Sequence, residues 1–174
     1  MAIKEITGAV LAGIQSLPVP PLVLSFILSA LPVFELRAGI PIGVAKGASI
    51  YSATLISILG NILVVPLVFL FLETLHKKFL HIDIYARTFD RYVHNLREKT
   101  HGIMKKYGFW GLAIFVGVPL PGTGAYTGAI AAWILGEPFW ESFASISIGV
   151  VIAGLIVAAV LAGGITTFKF FLGA

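Results

Sequence analysis

Two residues in an otherwise apolar stretch are equipped for chemistry: Glu35 and Arg37, an acid and a base two positions apart in Phe34-Glu35-Leu36-Arg37-Ala38-Gly39-Ile40-Pro41. A charge at the centre of a bilayer costs at least about 2.5–3.5 kcal/mol, so intramembrane charges face a partner, a cavity or a transport path. The acid can carry a proton, and the guanidinium can hold an anionic group. Pro32 and Pro41 disfavour helix in the residues before them, and Gly39 permits backbone geometry that other residues resist. Residues two apart point to different sides of a helix but share one side of an extended chain. The expectation is a break in a helix at membrane depth over residues 34–41, tolerated only where it is buried in protein or lines a wet cavity.

A second stretch, Pro119-Leu120-Pro121-Gly122-Thr123-Gly124, carries similar punctuation without charge. It is not a nucleotide loop. Gly128 falls one residue late for the dinucleotide pattern, no strand precedes it, and no Gly-Lys-Ser/Thr follows. A helix starting after Thr123 would use Thr123 as its N-cap and aim unsatisfied N–H groups at the break. A helix starting near Pro41 would do the same from the opposite side. Two helix N-termini of about half a positive charge each, together with Arg37, suit an anion such as phosphate or carboxylate. The substrate or ion site predicted on this basis comprises Glu35, Arg37, Gly39, Pro41, Pro119, Pro121, Gly122, Thr123, Gly124 and Tyr126, with Thr127 beside it. The competing structural reading is an ion pair that fixes a hairpin tip and a helix break with no ligand contact. No hydrolytic triad, metal cluster or carboxylate pair stands out, so no enzyme activity, cofactor or metal is expected; His76, His81, His94 and His101 match no compact metal spacing.

The setting for these residues is a membrane protein. Mean hydropathy is +0.99. Charged residues make up 11% of the 174 positions, against about 25% in a soluble domain. Four runs carry no charge at all, residues 6–34, 47–72, 107–136 and 142–168, and each exceeds the roughly 20 residues a spanning helix needs. A single membrane domain is expected. The first residues lack a strongly basic region and a cleavage site, so no removed signal peptide is expected. The absence of Cys excludes thiolate and disulfide chemistry. The net charge of +4 comes largely from one loop beside membrane segments, which a cytoplasmic location explains without nucleic acid.

The layout repeats. Residues 6–17 and 22–31 read as short helical pieces around Pro18, Pro20 and Pro21, and another short piece runs to about residue 48. Together they suggest a helical hairpin that enters the membrane and turns back at 34–41, followed by a long span over 47–72. Pro66 is placed to kink that span, and Asn61 to make a helix-helix hydrogen bond or line a cavity. In the second half, residues 107–118 and 125–136 flank the break at 119–124, and a long run closes the chain from residue 139. Interrupted short segments in corresponding positions of two halves point to a transporter's binding site, commonly in an inverted repeat.

Between the halves lies a basic linker, residues 73–106. Phe79, Ile82, Ala86, Phe89, Val93 and Leu96 recur at steps of three and four, the stripe of an amphipathic helix lying in the headgroup region, and Asp83 and Arg87 stand at a supportive i,i+4 spacing. The predicted fold is therefore all-α integral membrane: repeats of inverted topology, 1–72 and 107–174, each a re-entrant hairpin plus a long transmembrane helix, joined by a cytoplasmic interfacial helix. The hairpins then enter from opposite faces and their tips meet near the midplane. Trp110, Trp133, Trp140, Tyr51 and Tyr107 read as interface anchors, and Lys46 as a snorkelling lysine. Ala153-Gly154, Ala158-Ala159 and Ala162-Gly163-Gly164 form a small-residue surface for close packing within a subunit or in a homodimer.

At the two breaks the sequence resembles the small multidrug export protein family, which is itself distantly similar to the DedA superfamily. Residues Glu35-Leu36-Arg37-Ala38-Gly39-Ile40-Pro41-Ile42-Gly43 resemble the first motif of that family, and Pro119-Leu120-Pro121-Gly122-Thr123-Gly124-Ala125-Tyr126-Thr127-Gly128-Ala129 the second. The resemblance implies two re-entrant hairpins with facing tips in the cell membrane and, through the DedA likeness, movement of lipid phosphates or other lipids across the bilayer. The leading expectation is a transporter or flippase for an amphiphile with an anionic head, with a membrane lipid or lipophilic small molecule as partner and Glu35 as the proton-coupling group. The alternatives are a proton-coupled exporter of lipophilic cations, with Glu35 as the cation site, and a non-transporting membrane scaffold.

Overall fold

A computed structural model describes residues 13, 16–120 and 122–172, and its regular elements are all helices among those residues. α1 spans Pro21–Ser29, α2 Glu35–Ala45, α3 Ile50–Thr74, and the single turn α4 His76–Phe79. α5 covers Asp83–Gly117, α6 Ala125–Leu135 and α7 Phe139–Leu172. α3 and residues 139–164 of α7 are long and apolar enough to cross a bilayer. The described residues belong to two compact units, Met1–Gly60 with Gly154–Ala174, and Asn61–Ala153.

In the first unit α1 and α2 form a tight antiparallel-style pair joined by a five-residue connection. Pro20 precedes α1 and Pro21 opens it, the position where a missing N–H costs nothing. Residues 30–34 then turn, closed by the Glu35 N–H donating to the Leu31 carbonyl at 3.0 Å, and α2 begins. Residues 22–48 are thus two helices, and the interruption lies between Ala30 and Phe34. The helix does not start near Pro41 as the proline suggested. Pro41 stands inside α2; a proline there removes one helical hydrogen bond at a cost of about 3 kcal/mol in water, but in membrane helices neighbouring groups compensate.

Glycine and serine bring α1 and α2 together. A Cβ on Gly39 would overlap the Ser29 hydroxyl and come within 2.7 Å of the Ser25 carbonyl and 2.9 Å of the Ser57 hydroxyl of α3. A Cβ on Gly43 would overlap the Ser25 hydroxyl. Gly60 of α3 approaches the Phe26 carbonyl to 2.9 Å in the same sense, and Gly154 of α7 lies against Ile58. This is close packing by small residues, the device that substitutes for hydrophobic driving force between helices in lipid. Lys46, at the end of α2, ties back to the chain before α1 by donating from Nζ to the Leu17 carbonyl at 2.7 Å.

In the second unit α5 bends at Gly108, whose φ of 51° and ψ of −125° interrupt the helix. An exposed amphipathic portion precedes the bend and an apolar portion, largely buried from Gly111 to Gly117, follows it. The linker is therefore not one helix over residues 73–106. α3 extends to Thr74, α4 supplies one turn, and the long helix begins at Asp83 and continues past the bend. Phe79 and Ile82 of the expected apolar stripe are exposed, while Leu96 is buried. Among the described residues of this helix, His94 Nε2 and Glu98 Oε1 stand 3.4 Å apart, one turn apart as Asp83 and Arg87 are.

α5 packs on α6, where the Gly128 Cα faces Val116, and Gly149 of α7 approaches the Ala113 carbonyl. Tyr92 of α5 donates to the Thr127 hydroxyl at 3.3 Å. His76 is buried in an aromatic cage, its ring centred 4.2 Å from Phe89 and 5.4 Å from Trp133, with Nδ1 2.9 Å from the Tyr85 hydroxyl. Trp133 is thus a cage wall and not an exposed anchor, whereas Tyr51, Tyr107, Trp110 and Trp140 are exposed.

Candidate functional site

The first motif is set by the start of α2. Glu35 is its first residue, only 7% exposed, with a φ of 49°. That left-handed geometry is costly for a residue with a side chain, about 1–2 kcal/mol, and it is what turns the chain from the connection into the helix. Arg37 follows in the same turn and is partly exposed, and the opposite charges of Glu35 and Arg37 interact. The acid and base are therefore helical neighbours at a helix N-terminus, not partners on an extended strand. An acidic group there is favoured by the partial positive charge of the helix end. An anion arriving from outside would compete with the Glu35 carboxylate for that end and for Arg37.

Gly39 and Pro41 do not join the acid and base at the break. Gly39 lies in the seam against α1, and Pro41 is half-buried further along α2. What the sequence reading missed sits across that seam: the hydroxyls of Ser25, Ser29 and Ser57 are buried with no hydrogen-bond partner. A buried polar atom without a partner costs about 1–3 kcal/mol. The signal was the small-residue spacing, Ser25-x-x-x-Ser29 against Gly39-x-x-x-Gly43.

The second motif forms the connection from α5 to α6. Its Pro121 lies outside the described residues. Pro119 is half-buried, Gly122 is exposed with a φ of 81°, and Gly124 is buried immediately before α6. Thr123 does not cap α6, whose N-cap is Gly124 with no side-chain bond. Its hydroxyl donates to the Val118 carbonyl at 2.7 Å and to the Leu120 carbonyl at 2.9 Å, and so satisfies the end of α5. The first turn of α6 carries Tyr126, half-buried, and the buried Thr127. The first i→i−4 bond of the helix is the Gly128 N–H donating to the Gly124 carbonyl at 2.8 Å.

Apolar helices of spanning length, and a buried acid beside a base at a helix interruption, define an integral membrane protein of the helical type. The chain belongs to the family described as "Putative small multi-drug export protein", whose model matches residues 35–156. The match opens on Glu35 and takes in both motifs, so the protein is a member of a membrane export family. No curated protein and no solved structure matches the chain.

Proposed function

We propose that the protein is a transporter that moves an amphiphile with an anionic head across the membrane and uses Glu35 as its proton carrier. The observation that carries this reading is Glu35 as the buried first residue of α2, two positions before Arg37. The charged carboxylate occupies the helix end and balances Arg37. Protonation removes its charge, after which the anionic head takes its place at Arg37 and the α2 N-terminus. Release of the head and of the proton restores the starting state. The first unit also contains an apolar groove of about 400 Å³, lined by residues of α3 and α7 including Leu55, Ile58, Leu155 and Ala159, which suits the tail.

A second reading is favoured by the family description, which names multi-drug export. In it, Glu35 binds a lipophilic cation in exchange for a proton and Arg37 only sets the affinity of that acid. Reconstituted proteoliposomes separate the two. With a labelled anionic lipid and a cationic dye as substrates, Arg37→Ala should abolish movement of the lipid under the first reading and spare export of the dye under the second. Lipid movement that survives Arg37→Ala unchanged would overturn the first reading.

A further inference from the structure

A second polar site lies in the Asn61–Ala153 unit, built from residues of neither motif. Where α5 bends at Gly108 it leaves a small cavity of about 20 Å³ against the turn between α6 and α7, a volume that fits one water molecule or one ion. Gly108, Phe109 and Leu112 form one wall; Glu137, Glu141, Ser142 and Ser145 form the other. Glu137 and Glu141 are exposed and contribute two acidic residues to its lining. Ser142 is 2% exposed, and its hydroxyl is buried with no hydrogen-bond partner. Ser145 donates its proton to the Phe109 carbonyl at 2.6 Å, which leaves its oxygen lone pairs available. No basic side chain is among the lining residues, and Lys106 directs its ammonium over the Tyr107 ring at 5.0 Å. An all-oxygen donor set with two negative charges is the chemistry of a hard divalent cation, Ca²⁺ or Mg²⁺, and not of a thiophilic or imidazole-seeking metal.

We propose that this cavity binds one hard divalent cation, held by Glu137, Glu141 and the Ser142 hydroxyl, with water completing its shell at the open side. The ion offsets the mutual repulsion of the two carboxylates and gives the orphan hydroxyl oxygen a partner. The carbonyl end of α6, closed by the left-handed Gly136 and by the Glu137 N–H bonding the Ala132 carbonyl at 3.0 Å, adds negative potential on the same side. Its structural effect is to hold Glu137 of the α6–α7 turn and Glu141 of the first turn of α7 together beside the bend of α5.

Terbium luminescence tests this on the full chain in a neutral detergent. Tb³⁺ occupies hard-oxygen sites, and Trp140, exposed and adjacent to Glu141, is placed to sensitise it. The expected result is saturable emission that Ca²⁺ or Mg²⁺ displaces, with the order of their displacing concentrations identifying the ion preferred. Combining Glu137→Gln with Glu141→Gln should weaken Tb³⁺ binding by about tenfold or more, and Ser142→Ala should weaken it less, in line with the sensitivity of metal sites to their supporting groups. Glu98→Gln, a carboxylate change on the exposed part of α5, should leave binding unchanged. Equal emission from the parent and the double variant, emission that neither Ca²⁺ nor Mg²⁺ displaces, or no saturable emission would each overturn the proposal. Matching elution of the double variant and the parent on size-exclusion chromatography establishes that a loss of emission is a loss of the site.

Discussion

The Cα of Gly39 packs directly on the hydroxyl of Ser29, so that any side chain at position 39 collides with α1. Gly39→Ala should destabilise the protein by about 1–3 kcal/mol, the usual penalty for forcing a methyl into a filled interior, and lower its thermal unfolding temperature in detergent. Ser29→Ala, which removes a hydroxyl with no partner, should be near neutral or mildly stabilising. A Gly39→Ala protein that melts with the parent would show that the seam yields.

Glu35 holds a conformation that glycine adopts freely. Glu35→Gly should therefore unfold at a higher temperature than Glu35→Gln, by an amount matching about 1 kcal/mol of relieved strain, while eliminating the proton-dependent transport proposed above. Glu35→Gln keeps the strain and should lose transport without the gain in stability. Were Glu35→Gly no more stable than Glu35→Gln, the left-handed backbone would not be a source of strain.

Thr123 donates its hydroxyl proton to the end of α5. Thr123→Ala leaves the Val118 and Leu120 carbonyls without that donor and should cost about 0.5–1.5 kcal/mol, whereas Thr123→Ser keeps the hydroxyl and most of the stability. Chemical denaturation of both variants distinguishes this from an N-cap role. Asp is as good an N-cap as Ser but has no proton to donate when ionised, so Thr123→Asp should behave like the Ala variant.

Burial holds His76 below its ordinary pKa of 6.5, with the negative charge of Asp90 acting in the opposite direction. The neutral ring is therefore favoured in the folded protein. The stability it contributes is complete above pH 6.5, where the unfolded histidine is also neutral, and is lost as pH falls below that value toward the lowered folded pKa. Unfolding temperatures measured from about pH 8 down to about pH 5 should show this loss, and His76→Phe should flatten the profile in that window. A profile unchanged by the substitution would assign the acid sensitivity elsewhere.

Much of the element layout was legible in the sequence because lipid imposes long uncharged runs and punctuates them with Pro and Gly. Residues 47–72 anticipated α3, residues 125–136 anticipated α6, and the start at residue 139 matched α7. The site was less legible. Pro41 looked like a helix start because proline usually is one, yet the turn is made earlier by Glu35, whose left-handed φ no residue-type rule would assign to an acid. Thr123 had the right identity for an N-cap, but Gly124 holds that position, and the turn at Gly122 brings the Thr123 hydroxyl to the carbonyls at the end of α5. The serines of α1 and α3 were read as parts of apolar runs. Their burial depends on which face of α2 is glycine, a tertiary fact that local sequence only hints at.

The bend at Gly108 has open space around its Cα, so the restriction there is one of chirality and not of room. An L-amino acid would fit the volume and still resist the dihedral angles. The long helix thus changes direction at an elbow made of one achiral residue, so that a single methyl group added at position 108 would act on the course of the whole chain after it without touching any neighbour.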